Sequence, residues 1–180
     1  MLQKKRVTPA LPEYQFVVEM YHEAFPTNEK LPLWYLQFLT LRNGISFTAY
    51  YDNNHIVGMS YTTKTKNTIF VLYLATNAQF RSRGYGTKIL RQLIAENPNQ
   101  EIVLNIEPQD VSAANADQRA KRLRFYQKNG FTLTGYVIED SNQKFDILST
   151  SDHFSILDYK KSVKKLSFGF QKVTVNPKEN

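Results

Sequence analysis

The chain has 180 residues, enough for one domain with a buried core. Its 42% hydrophobic and 22% charged residues are in the balance of a soluble globular protein, with no apolar run of membrane-span length and no apolar signal-peptide centre near the start. The absence of cysteine excludes disulfides and thiolate nucleophiles, and a formal charge of +7 either draws an anionic partner, nucleic acid or a small polyanion, or simply keeps the surface soluble. A cytoplasmic location is the expectation.

Residues 13–25 read as an amphipathic helix with Phe16, Val17, Met20, Tyr21 and Ala24 on one stripe. A second helix follows Pro32, carrying Leu33, Trp34, Leu36 and Leu39, and Asn43-Gly44 ends it. The pattern then changes to strands at 45–51 and 55–63, around an Asp52-Asn53-Asn54 turn, and at 69–76. A helix over 84–96 places Ile89, Leu90, Leu93 and Ile94 at helical spacing, and Asn97-Pro98 stops it. A strand at 101–107 and a polar loop lead to a helix at 117–129, ended by Gly130. In that helix Ala116, Ala120 and Leu123 make the buried stripe, and Tyr126 lies on its shoulder beside Arg119 and Arg122. Strands at 131–139 and 144–149 and a lysine-rich helix at 155–166 follow, whereas 175–180 carry no pattern.

The chemistry concentrates between the strand at 69–76 and the helix after it. There Arg81-Ser82-Arg83-Gly84-Tyr85-Gly86 stands where the helix begins, and a helix N-terminus offers unpaired N–H groups and a positive dipole end. Glycines let an anion approach that backbone, and arginines add charge-assisted bonds, so the stretch reads as a diphosphate-binding loop. A dinucleotide fingerprint is the rival reading, with Glu107 at the end of the next strand; Ile89 stands where its third glycine belongs, and the turn from Thr76 is too long. A P-loop is excluded because no Gly-Lys-Ser/Thr occurs. His22, His55 and His153 have no ligand-like spacing, so no metal is expected. The basic clusters at 119–128 and 160–172 lack the aromatic sheet motif of an RNA reader, which disfavours nucleic acid.

The Arg81 to Gly86 pattern, together with Leu74-Ala75-Thr76 before it and Tyr126-Gln127-Lys128-Asn129-Gly130-Phe131 after it, resembles the GNAT family of N-acetyltransferases. The resemblance covers roughly residues 10–150. It implies an α/β (α+β) fold with a mixed, mostly antiparallel sheet flanked by helices, splayed between its fourth and fifth strands, and a short first strand near 5–8. Residues 1–150 would form the GNAT domain and 151–180 a C-terminal helical extension packed on it.

The same resemblance implies acetyl-CoA as co-substrate. The backbone of Leu74 and Thr76 would pair with the pantetheine arm, and Arg81, Ser82, Arg83, Gly84, Tyr85, Gly86 and Thr87 would hold the pyrophosphate. Asn115 would contact the pantetheine arm, and Tyr126 would protonate the departing thiolate. Glu107 could act as general base, directly or through water, or be a solvated strand-end carboxylate; Tyr126 has the parallel alternative of a packed tyrosine with a wet hydroxyl. Glu29, between the first two helices, would border the acceptor pocket. The implied activity is acetyl transfer to the primary amine of a small molecule, peptide or protein, with no membrane partner and with homodimerisation left open. The contrasting reading is a non-catalytic acyl-CoA sensor or a basic nucleic-acid-binding module.

Overall fold

The computed structural model describes residues 1–140, 143–167 and 174–178. Its elements run β1 (Gln3–Arg6), α1 (Tyr14–Ala24), α2 (Leu33–Leu39), β2 (Ile45–Asp52), β3 (His55–Lys64), β4 (Thr68–Thr76), α3 (Tyr85–Ala95), β5 (Glu101–Ile106), α4 (Ala116–Lys128), β6 (Thr132–Asp140), β7 (Gln143–Ser149), α5 (Ile156–Lys164) and β8 (Thr174–Pro177). The strands form one sheet in the order β1-β2-β3-β4-β5-β7-β6-β8. The mixed α/β class and the mostly antiparallel sheet match the expectation. The β4–β5 pair is parallel and in register from Thr68↔Glu101 to Val71↔Leu104, while β4 runs on to Thr76.

The described residues divide into two compact units. The first holds 1–63 and 72–98, the second 64–71 and 99 onward, so β4 contributes to both. In the first unit the Asp52 to His55 hairpin closes through Asn53 and Asn54, both at positive φ, the geometry that matches strand twist in a two-residue turn. Val17, Val18, Met20 and Tyr21 of α1 are buried with Leu36 and Leu39 of α2. Phe16 and Trp34 depart from expectation: Phe16 is exposed and Trp34 is 72% exposed, because each helix buries a face rotated away from them. The α2 helix also ends at Leu39, well before Gly44, whose positive φ serves the turn into β2.

Helix α3 is fastened to the same unit. Ile89 sits in a core cluster with Leu2, Tyr50 and Val57, and Gln92 exchanges hydrogen bonds with the backbone N–H and carbonyl of Leu2 at 2.8 and 3.1 Å. Gly58 on β3 allows a close approach: a Cβ there would lie 2.6 Å from the Ala75 carbonyl oxygen and 2.7 Å from Ile89 Cδ1.

The second unit packs Phe70, Ile102, Leu104, Phe131, Ile147, Leu148 and Tyr159. Tyr159 of α5 meets Phe70 edge-on at 5.7 Å and donates to Asn105 Oδ1 at 3.0 Å. The C-terminal segment, read as patternless, supplies strand β8 along β6, and Lys178 reaches both oxygens of buried Asp146 at 2.8 Å. A four-residue edge strand is too short to show a period in sequence. Within the expected 151–180 extension, residues 168–173 and 179–180 lie outside the described residues.

Candidate functional site

In the first unit the end of β4 leads into the loop under tight backbone control. Asn77 is 5% exposed; its N–H bonds the Val57 carbonyl at 3.0 Å, its side-chain amide donates to Ile56 O at 2.8 Å, and its Oδ1 accepts from Gln79 N–H at 3.0 Å. The residues Ala78–Phe80 then form one 3-10 turn, and Phe80 packs edge-on against Tyr85 at 5.8 Å. Two left-handed residues follow, Ser82 at φ 61 and Gly84 at φ 77. For serine that conformation costs about 1–2 kcal/mol, a strain that only a fixed local shape sustains.

Gly84 is the N-cap of α3 and places no side chain over it. The first intrahelical bond comes from Lys88 N–H to Gly84 O, so Tyr85, Gly86 and Thr87 begin the helix with N–H groups that have no carbonyl a turn earlier to bond. A Cβ on Gly84 would meet nothing within 4 Å. This is a bare, positively polarised helix end beside open space, and it fits a diphosphate.

The side chains of this loop are arranged differently from a simple cage of arginines. Arg81, Ser82, Arg83 and Lys88 are exposed, and the Arg83 guanidinium lies 5.4 Å over the Phe80 ring. Asp52, from the β2–β3 turn, accepts from the Tyr85 hydroxyl at 3.0 Å and faces the Lys88 ammonium at 3.8 Å. That bond raises the Tyr85 phenol above its ordinary pKa. Leu74 is half-buried against the α3 cluster, and Thr76 closes β4. Glu29 lies in a short 3-10 turn whose backbone is pinned from β4: the Tyr73 hydroxyl donates to Glu29 O at 2.7 Å and accepts from Leu31 N–H at 3.0 Å.

The second unit brings Glu107, Asn115 and Tyr126 onto the β5–α4 connection and α4 itself. Glu107 is encircled by donors: Asn115 Nδ2 lies 3.1 and 3.3 Å from its two oxygens, Arg119 Nη2 3.0 Å from one and Arg122 Nη1 3.2 Å from the other. Asn115 is equally occupied, since its Oδ1 accepts from Arg119 Nε at 2.7 Å. The second lone pair of that Oδ1 is left for any contact between its side chain and a pantetheine arm.

Helix α4 has no fully buried residue, so Ala116, Ala120 and Leu123 form a half-buried stripe rather than the buried one expected. Its C-terminus is well fastened. Gly130, at φ 86, donates to Gln127 O at 3.1 Å, and Phe131 N–H bonds Tyr126 O at 3.1 Å, the paired bonds of a Schellman motif. The accompanying apolar contact is the buried Phe131 ring, 5.7 Å from that of Tyr126. Burial pushes the Tyr126 phenol up to about 12, while the charge of Arg122 pulls it down. Among the described residues its hydroxyl has no hydrogen-bond partner.

Sequence reading placed Arg119 and Arg122 beside Tyr126 but missed their pairing with Glu107, and it missed Asn77, Asp52 and Gly58 as supports of the loop. Of these three Gly58 carried a signal, an isolated glycine within a strand pattern. Among the described residues no group of three or more His, Cys, Asp or Glu is arranged to hold a metal, and no helix is long and apolar enough to cross a membrane.

A family model described as an acetyltransferase (GNAT) domain matches residues 42–133. The fold is similar to that of a Bacteroides thetaiotaomicron protein assigned to the GNAT acetyltransferases, with a TM-score of 0.74 and 23% identity over 94% of this chain and 99% of that one. It is also similar to a GNAT family acetyltransferase from Elizabethkingia anophelis with acetyl-CoA bound (TM-score 0.59, 18% identity, 83% and 97% covered). A third likeness is to the ribosomal-protein-S18-alanine N-acetyltransferase of Escherichia coli (TM-score 0.58, 14% identity, 86% and 96% covered). No curated protein matches the sequence.

Proposed function

The chain belongs to the GNAT acetyltransferase family, and we propose that it transfers an acetyl group from acetyl-CoA to a primary amine by direct attack, with both substrates bound together. The observation that carries this reading is the uncapped start of α3, with left-handed Gly84 beside open space, a cradle suited to the coenzyme's diphosphate. The acetyl-CoA seen with the Elizabethkingia protein supports the same co-substrate here. Arg81 adds an exposed positive charge to the loop.

In the proposed reaction the amine nitrogen attacks the thioester carbonyl carbon, the C–N bond forms and the C–S bond breaks. Glu107, which Asn115, Arg119 and Arg122 hold in place, takes the ammonium proton directly or through a water. Tyr126 protonates the leaving thiolate. Its phenol, at about 12, is a weaker acid than a thiol of about 8.5, so transfer is completed only as the second proton, which the nitrogen sheds after attack, makes good the phenol. Without cysteine there is no thiol for an acyl-enzyme, which favours the ternary-complex route.

The acceptor is a small-molecule or protein amine, and the cytoplasm is the compartment we assign. A mass-shift screen of amines and peptides incubated with acetyl-CoA tests the proposal. Amine-dependent thiol release with a matching acetylated product is expected. Acetyl-CoA binding without product from any amine would leave a non-catalytic sensor instead.

A further inference from the structure

We propose that Arg119 is a positioning residue: by gripping Glu107, Asn115 and the Pro108 carbonyl at once, it fixes the start of α4 against the end of β5 and so sets where Tyr126 presents its hydroxyl. The inference rests on the acid role assigned to Tyr126 above.

Three observations lead to it. The guanidinium spends each of its three nitrogens on a different acceptor: Nε on Asn115 Oδ1 at 2.7 Å, Nη1 on Pro108 O at 2.9 Å and Nη2 on Glu107 Oε1 at 3.0 Å. These acceptors lie at both ends of the connection that joins β5 to α4, and the Arg119 and Glu107 side chains are each only 20% exposed. The connection has little else to hold it, since Val111 is 99% exposed and the Asp110–Ser112 hydrogen bonds are local.

Helix α4 depends on this grip more than an ordinary helix would. None of its residues is fully buried, and Asn115, its N-cap, bonds no helical N–H with its side chain. Its C-terminal end is fixed by the Schellman motif under Tyr126, so Arg119 supplies the matching anchor two turns earlier on nearly the same face. Arg122 adds a second tie to Glu107 at 3.2 Å and stands one turn before Tyr126. A lysine at 119 would keep the charge, but a single ammonium cannot serve three acceptors that diverge around a planar fork.

The test uses Arg119→Lys, Tyr126→Phe and the double variant, with kcat and the acetyl-CoA affinity measured well below the melting temperature of each. Arg119→Lys is expected to lower kcat by about tenfold or more and to shift acetyl-CoA affinity by less than about threefold. In the Tyr126→Phe background the same change is expected to cost severalfold less than it does alone, the remainder acting through Glu107, because residues acting as a unit are not additive. Should Arg119→Lys not fold, Arg119→Gln, whose single amide cannot serve the three acceptors, takes its place with the same expectations.

Wild-type kcat in Arg119→Lys alongside a slow Tyr126→Phe would overturn the inference and leave the acid role standing. A loss that multiplies in the double variant would also overturn it, showing that Arg119 acts elsewhere. Full activity in Tyr126→Phe removes both the acid role and this inference.

Discussion

The loop at residues 81–87 is shaped by backbone: Ser82 and Gly84 turn the chain through left-handed conformations, the helix end is left bare, and the arginine side chains stay exposed. The connection from β5 to α4 is shaped by side chains: Glu107, Asn115, Arg119 and Arg122 bind one another while the backbone between them is exposed. A site made of N–H groups must admit its ligand closely, so it tolerates no added Cβ but is indifferent to many side chains. A site made of a side-chain network is the reverse, sensitive to each donor and acceptor. The two regions should therefore fail in different ways when altered.

The largest effect is expected at the loop. Gly84→Val or Gly86→Val should abolish acetyl-CoA binding, since either places branched carbons at the helix end proposed to receive the diphosphate. Gly84→Val also forces a side chain into the φ 77 conformation, costing about 1–2 kcal/mol of stability. Calorimetry on folded protein decides this; wild-type affinity in both variants would remove the diphosphate assignment.

A smaller effect, on stability, is expected where the loop's supports meet. In Gly58→Ala the new methyl would fall on the Ala75 carbonyl and Ile89, and the overpacking should cost about 1–3 kcal/mol in denaturant unfolding. An unchanged midpoint would mean that β3, β4 and α3 pack less tightly than described.

The subtlest effect is at Glu107. Glu107→Gln keeps the shape but removes the charge that two arginines face, and should lower kcat with acetyl-CoA affinity nearly unchanged if this carboxylate receives the proton. Wild-type kcat would confine Glu107 to anchoring α4 and assign the proton to another group.

The same contrast explains how far the sequence could be read. Glycines, the Asn-Asn turn and Gly130 announce backbone conformation directly, so the loop, the β2–β3 hairpin and the end of α4 were legible. Burial faces were less so: Phe16 and Trp34 fit a helical stripe yet point outward, because period alone does not choose which of two adjoining faces packs. The Glu107–Arg119 pairing spans an irregular connection, and no spacing rule links residues across such a segment. Strand β8 draws its pairing from β6, distant in sequence, and from Lys178 on buried Asp146.

The central claim is that Tyr126 serves the chemistry rather than the binding of acetyl-CoA. The direct measurement is acetyl-CoA affinity and amine-dependent thiol release on one preparation of Tyr126→Phe. The phenol is pushed up to about 12, so in the wild type it stays a neutral donor past the ordinary tyrosine value of about 10, and no alkaline limb below that should belong to it. The account predicts turnover reduced by about 100-fold or more with affinity nearly unchanged. Full turnover in the variant, or a loss of affinity that accounts for the whole fall, would contradict it.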